Sequence, residues 1–400
     1  VSMFVLGLLF SGAANPGKVH IRINQAGYLP GEPKTAIVFS DSRVREAFEL
    51  ISEKSGSSKL ALKPVRSRTK GWGTFEFYYT LDFSSLEEPG VYRLTGKKSG
   101  CQSAPIRISG EAYTSYGDDL LGFMRQQRCG YNPFLDMVCH KHDGRSFYGP
   151  MPDSSYVDVS GGWHDAGDQL KYLITGSYAT AHMLQSYLIY PDVFNDLTNA
   201  LGQPGGNHIP DVLDEARWGL EWIHKLHASP DVLVHQVADD RDHMGWKMPD
   251  QDPSDYGWGK NSYRAAYFAN GKAQGLKKYK SEATGLANLA GRSAAAMALA
   301  ARVWEDLDDP MFAEQCLRSA KSLYALGKEK EGYQQGNSFG APYRYGEETW
   351  ADDMEWGAAE LYRTTGDRAY LEDAKKYARM AGTVSWMTHD TALHYQYYPF

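Results

Sequence analysis

The alternation of apolar and polar positions divides the chain in two. Between residues 19 and 108 the period is that of strands: residues 19–24 (Val-His-Ile-Arg-Ile-Asn) alternate, residues 34–39 are β-rich, and residues 75–81 alternate again. Pro30-Gly31 and Pro89-Gly90 punctuate these runs as turns. Several short strands over about ninety residues predict a small β-sandwich. After Glu111 the period becomes helical. Val212, Ala216, Leu220, Ile223 and Leu226 form one stripe over residues 211–227, with Asp214, Glu215, Glu221 and Lys225 mostly elsewhere. That spacing predicts an amphipathic helix. Residues 286–307 form an Ala-rich helix, and residues 312–326 follow it after the Asp308-Asp309-Pro310 turn. A helix over 354–365 ends at Gly366, suited to a left-handed cap, and Asp367 can cap a last helix through Tyr370, Ala374 and Tyr377. About seven helices are expected after Gly110, most of them joined as neighbouring pairs. The fold class expected is multidomain β + α: a β-sandwich at 18–110, then an all-α domain from 111 to 400.

Composition changes this picture little. Four hundred residues suffice for two or three domains. Lys and Arg (42) against Asp and Glu (49) give a net charge of −7 with no long basic run, which argues against a nucleic-acid partner. Four cysteines are too few for a disulfide scaffold. The excess is aromatic, at 13% of residues, and flat rings that stack on sugar faces lean the reading towards carbohydrate. At the start, residues 3–10 are apolar and precede Ser11-Gly12-Ala13-Ala14, the pattern of a secretory signal remnant over residues 1–17; the run is too short to span a bilayer. A secreted protein with no membrane partner is expected. The far end, His394-Tyr395-Gln396-Tyr397-Tyr398-Pro399-Phe400, is aromatic and has no polar tail, as if the chain were cut inside a domain.

Chemistry concentrates at Gly161-Gly162-Trp163-His164-Asp165-Ala166-Gly167-Asp168. Two carboxylates three residues apart among glycines suit a site where one activates water and the other orients it. The same residues could make a Gly-rich turn with Asp caps, or a calcium loop. Cys129, Cys139, His140, His142 and His164 include a tetrahedral two-thiolate, two-imidazole set, or else buried thiols with surface histidines. Asn207, Asp211, Asp214 and Glu215 at a helix start offer calcium ligands or simply caps on the helix dipole. Trp163, Trp246 and Trp258 are candidates for stacking on sugar rings, with core packing as the alternative. Glu347, Glu348, Asp352, Asp353 and Glu355 read as solvated helix surface with an N-terminal cap, and Cys101 and Cys316 as free thiols.

Residues 161–168 resemble the GGWxDAGD signature of the family-nine glycoside hydrolases, the inverting cellulases. Ile23-Asn24-Gln25-Ala26-Gly27-Tyr28 resembles the opening of the immunoglobulin-like domain that precedes many of these enzymes. Residues 209–218 resemble the PDxLDEARW helix, Asp242-His243-Met244-Gly245-Trp246 the DHxxW segment, and residues 356–366 the WAAAELYRATG helix. The resemblance covers nearly the whole chain. It implies an (α/α)6 barrel behind an immunoglobulin-like sandwich and hydrolysis of β-1,4-glucosidic bonds in cellulose or related β-glucans. It implies Asp168 as the general base, Asp165 holding the attacking water, and a monomer. It also implies a structural zinc on Cys129, Cys139, His140 and His164, with His142 in reserve, and calcium near Asn207, Asp211 and Asp214. The family's acid is a Glu near the C-terminal end of the domain. No matching motif occurs before Phe400, so an incomplete barrel with its acid beyond residue 400 is expected. Two other classes remain open: a non-catalytic glucan-binding fragment, and a helical-barrel glycosidase or lyase acting on another sugar.

Overall fold

The computed structural model describes residues 18–67 and 73–381. The signal-like segment 1–17 and the aromatic end 394–400 lie outside the described residues. The chain separates into two compact units, residues 1–116 and 117–400.

The first unit is a β-sandwich. One antiparallel sheet takes the order β1 (Val19–Arg22), β2 (Thr35–Ser40), β6 (Phe77–Asp82), β5 (Val65–Arg66); the other takes β4 (Ser58–Leu62), β3 (Phe48–Ser52), β7 (Gly90–Gly96), β8 (Ile106–Ile108). Alternation supplies its inner layer: Ala36 and Val38 of β2, Phe48 and Leu50 of β3, and Leu94 of β7 are fully buried. Lys34 is buried too, because its ammonium donates to the carbonyls of Pro30 and Glu32 at 2.5 and 2.8 Å.

The second unit holds seven α-helices among the described residues: α1 (Tyr116–Gln126), α2 (Leu173–Ile189), α3 (Asp211–Leu226), α4 (Ala287–Asp306), α5 (Pro310–Glu329), α6 (Ala351–Thr365) and α7 (Arg368–Ala381). Helices α2, α4 and α6 pack side by side, and each is backed by the helix that follows it, α3, α5 or α7. This double layer of hairpins is the arrangement of an (α/α)6 barrel, with three hairpins among the described residues. The layers explain the sequence patterns. Inner α4 is buried on every side, which its alanines permit, while outer α7 buries only Ala374 and Tyr377. Asp309 caps α5 by accepting the Phe312 N–H at 3.2 Å, and Gly366 ends α6 with φ 70°.

The acidic run is the principal correction. Glu348 is exposed, but Asp352, Asp353 and Glu355 are buried, because α6 is an inner helix enclosed by its neighbours. Asp353 is neutralised there by Arg292 at 2.8 Å.

Short strands at the mouth of the helical layer carry the loops of interest. A hairpin pairs β9 (Tyr131–Asn132) with β10 (Met137–Val138), and a four-stranded sheet takes the order β11 (Arg145–Phe147), β14 (Ala265–Phe268), β13 (Val234–Val237), β12 (Lys171–Tyr172).

Candidate functional site

The 161–170 segment leads from the hairpin region into β12 and α2. Its shape is fixed by bonds at both ends: Cys129 N–H donates to Gly162 O at 2.9 Å, His164 N–H to Gln127 O at 2.8 Å, and Asp165 N–H to Leu170 O at 2.7 Å. Asp165 and Asp168 emerge from this turn with different partners. Asp165 accepts from Thr175 Oγ1 at 2.9 Å and from the Tyr345 hydroxyl at 2.7 Å. It is open to water, yet the surrounding walls crowd it. That desolvation pushes its carboxyl above the usual range and the Asp168 charge adds to it, while the Tyr345 and Thr175 bonds oppose it. Asp168 is half-buried; His243 Nε2 lies 2.7 Å from Oδ2, while buried Oδ1 accepts no hydrogen bond from the protein. His243 in turn stacks on Tyr343, with ring centroids 4.1 Å apart and planes 17° apart. Tyr172 meets Tyr345 edge-on at 4.8 Å.

Three segments remote in sequence thus converge: 161–170, the loop 238–252 after β13, and the loop 336–345 before α6. Asp240 joins the last two, since its carboxylate accepts the backbone N–H groups of Phe339, Gly340 (2.8 Å) and Ala341 (2.6 Å). Sequence reasoning missed Tyr345, Thr175, Tyr343 and Asp240. The DHxxW segment containing His243 was the only signal near any of this group.

The three tryptophans part company. Trp246 is 88% exposed, and its ring lies on Gly167 so closely that a Cβ there would fall 1.8 Å from Cε3. A side chain at 167 would have to displace that ring. Trp163 is a correction: it is buried, donates its indole N–H to Glu215 at 2.7 Å, and belongs to the packing around α3 rather than to an open face. Trp258 is half-buried beside Phe147, 6.1 Å between centroids, under the Arg145 guanidinium.

Behind the turn, one donor atom from each of Cys129, Cys139, His140 and His164 lies within 4.8 Å of all the others. The β9–β10 hairpin returns Cys139 to the first cysteine, through a Cys139 N–H bond to Gly130 O at 3.0 Å. Burial alone would raise the Cys129 thiol, but the Cys139 thiol, Lys171 and the two imidazoles outweigh it and hold Cys129 well below the ordinary thiol range. Sharing that hydrogen bond, with burial, pushes Cys139 up. Burial brings His164 down to about 4, leaving a neutral ring. Two sulfurs and two ring nitrogens converging in a mostly buried space fit a closed tetrahedral zinc cage, in which no position is left for substrate. His142 stands apart from the cage, its ring 5.5 Å from that of Tyr263. Arg264 organises the floor: it grips Asp143 at 2.8 and 2.7 Å, Asp242 at 3.2 Å and Gln169 O at 2.6 Å, and lies 3.8 Å from Cys129 Sγ.

Asn207, Asp211 and Asp214 are put to structural use. Asp211 Oδ1 accepts from Leu197 N, Thr198 N and Thr198 Oγ1 at 2.9–3.2 Å, and Asp214 accepts from Asn207 Nδ2 at 3.0 Å. Among the described residues the Cys/His cage is the only group of three or more His, Cys, Asp and Glu donors that converges. All four cysteines are free, Cys101 and Cys316 among them as expected.

A family model described as glycosyl hydrolase family 9 matches residues 113–398, and one described as the cellulase N-terminal ig-like domain matches residues 17–100. Endoglucanase C of Cellulomonas fimi is 29% identical over 388 residues, covering 88% of this chain and 32% of that protein. A xyloglucan-specific endo-beta-1,4-glucanase of Bacteroides ovatus is 27% identical over 380 residues, covering 90% of this chain and 60% of that one. The chain therefore spans about a third to three-fifths of these relatives. Among solved structures, a metagenome-derived family 9 endoglucanase superposes with a TM-score of 0.73 at 26% identity, covering 94% of this chain and 67% of the other. A structure described as a Zn-binding triple mutant of the family 9 endoglucanase J30 shares the fold at TM-score 0.70 and 24% identity, covering 91% of this chain and 66% of its own.

Proposed function

Because this chain belongs to glycosyl hydrolase family 9, we propose that it acts on cellulose-like β-glucans, hydrolysing β-1,4-glucosidic bonds with inversion. The observation that carries this is the unequal pair Asp165 and Asp168. Inversion needs a carboxylate that takes a proton from water as the water attacks the anomeric carbon. Asp168 is suited to that role: one oxygen is fixed by His243, while the other is buried and accepts no hydrogen bond from the protein, so its lone pairs are unclaimed. Asp165, oriented by Tyr345 and Thr175, supplies a second acceptor that aims the water. Protonation of the leaving oxygen requires a carboxylic acid across the bond, roughly 6.5–9.5 Å from the base. Glu355 and Glu360 have raised pKa values but are sealed inside α6 and do not serve. Trp246, exposed beside the pair, offers a flat face for a glucosyl ring.

Zinc held by Cys129, Cys139, His140 and His164 would be structural, a crosslink fixing the turn that carries both aspartates. The donor chemistry supports it, as does the printed description of the J30 variant. Calcium has no comparable support: Asp211 Oδ1 accepts from Leu197 and Thr198 and Asp214 Oδ2 from Asn207, so these side chains already serve the loop, with only Asp214 Oδ1 unpartnered. Secretion fits the apolar run at 3–10 and a substrate too large to enter cells. A monomer suffices, because one chain supplies every residue of the pair and its partners.

The test is reducing-end release from soluble cellulose, with xyloglucan in parallel and Asp168→Asn as control. Release by the wild type should fall at least about 10²-fold in the variant, as expected for loss of a general base, with unchanged thermal unfolding; no release by a folded wild type favours the glucan-binding fragment instead. Undiminished release removes Asp168 from the role; activity confined to uronic-acid or amino-sugar polymers overturns the substrate class.

A further inference from the structure

We infer that Asp252 is a positioning residue that couples the Cys/His cage to the 243–252 loop beside Asp168. The inference rests on the zinc reading and goes beyond it, since neither the motif nor the cage itself points to residue 252.

The two ring nitrogens of His140 face different neighbours. Nδ1 lies 3.3 Å from His164 Nε2, inside the cage, and Nε2 lies 3.1 Å from Asp252 Oδ2. A metal-ligating imidazole is neutral and carries its proton on the nitrogen remote from the metal. A carboxylate at that proton fixes the tautomer, holds the ring plane and makes the ligating nitrogen more basic. Asp252 is only 2% exposed, so bulk water does not compete for the bond. Its other oxygen, Oδ1, accepts from Ser254 N–H at 2.9 Å and Ser254 Oγ at 2.6 Å and lies 2.7 Å from Lys247 Nζ. The Lys247 ammonium thus lies against the same carboxylate that meets His140.

Lys247 belongs to the cleft. Its N–H donates to Gly167 O at 3.3 Å and its carbonyl accepts from Gln169 Nε2 at 3.0 Å, so its backbone brackets Asp168. It directly follows Trp246, whose ring lies on Gly167. One carboxylate therefore holds a cage ligand with one oxygen and the cleft wall with the other. Of the remaining acids of this floor, Asp143 is held by Arg264 and Lys171, and Asp242 by Arg264 and, at 3.3 Å, by Lys247 itself; neither touches a cage histidine as Asp252 does. Filling the cage thereby stiffens residues 243–252 as well as 164–168.

The experiment uses the full chain and zinc alone. Zinc affinity is measured by competition with a chromogenic chelator, and backbone hydrogen exchange is followed with and without zinc. In the wild type, zinc should slow exchange across both 164–169 and 243–252. Asp252→Ala should weaken zinc binding roughly 10- to 100-fold, the usual effect of losing such a partner, and should abolish zinc-dependent protection of 243–252. Lys247→Met should keep near wild-type zinc affinity yet lose the same protection, which separates the two arms. Should Asp252→Ala fail to fold, Asp252→Asn replaces it, with a smaller but measurable loss of affinity. Wild-type affinity in the Asp252 variant, or unchanged protection of 243–252 in both variants, overturns the inference. A wild-type chain that takes up no zinc overturns the zinc reading instead, a result distinguishable because it appears before any substitution is made.

Discussion

Glu355 is fully buried on α6, and neither of its oxygens accepts a hydrogen bond. Burial, with Asp352 nearby, pushes its carboxyl up to about 7 from an ordinary 4.5. The sign follows from linkage. Below pH 4.5 both folded and unfolded chains hold this proton, and Glu355 costs nothing. Between about 4.5 and 7 the unfolded chain loses the proton and the folded chain keeps it, so a stability penalty grows and is complete above 7. Glu355→Gln, which cannot ionise, should therefore gain in melting temperature relative to wild type as pH rises from 5 to 8, with little difference at pH 4. A difference that stays constant across this range would show that Glu355 does not titrate there. Asp353, equally buried, has the Arg292 guanidinium 2.8 Å away as its counter-ion. Sequence patterning could not tell these acids from a solvated run, because charge alone signals exposure until an inner position and a partner 61 residues away are known. The same limit applies to aromatics: Trp163 and Trp246 look alike in sequence, and only the Glu215 acceptor under one and Gly167 beneath the other set them apart.

At the scale of elements, α4 and α6 approach backbone to backbone. A Cβ at Gly291 would lie 2.6 Å from the Asp353 backbone, and one at Gly357 would lie 2.7 Å from Gly291 O. Backbone on both sides leaves nothing flexible to yield. Gly291→Ala should thus destabilise by about 1–3 kcal/mol, as overpacking does, measured by denaturant titration; a neutral or stabilising result would mean that the two helices can separate without cost. The helices themselves were legible. The apolar stripe of α3, the Asp309-Pro310 start of α5 and the Gly366 end of α6 are local signals with local causes. The strands β11 to β14 were not, being two to four residues long and, in β13 and β14, buried at every position, so no alternation survives to be read.

Over the whole molecule, each unit has its own core, one built on Phe48, Leu50 and Leu94, the other on α2, α4 and α6. The Cys/His cage belongs entirely to the second. Stripping zinc with a chelator should lower the unfolding temperature of residues 117–381 while leaving exchange within β2, β3 and β7 unchanged; elemental analysis of the untreated protein should find about one zinc per chain, the stoichiometry of a closed site. Equal melting with and without chelator would deny the ion a structural role. The signature turn was legible because its chemistry is dense in sequence, whereas the cage set rests on the family resemblance, since its spacing alone leaves buried thiols with surface histidines open. Tyr345 was not legible, because it lies 180 residues from the Asp165 it serves and only the fold brings it there.

Arg264 has a consequence for the order in which the chain assembles. Its partners lie 22 to 135 residues away, at Asp242, Gln169, Asp143 and Cys129. A fully buried guanidinium is tolerable only once those groups surround it, and each long closure carries an entropic cost before any contact forms. The floor beneath the cleft must therefore close late, after the flanking helices have brought its ends together. A chain missing any one of these segments would leave a stranded cation in a dry interior, so half-assembled molecules should stay open and be cut faster by a protease than complete ones.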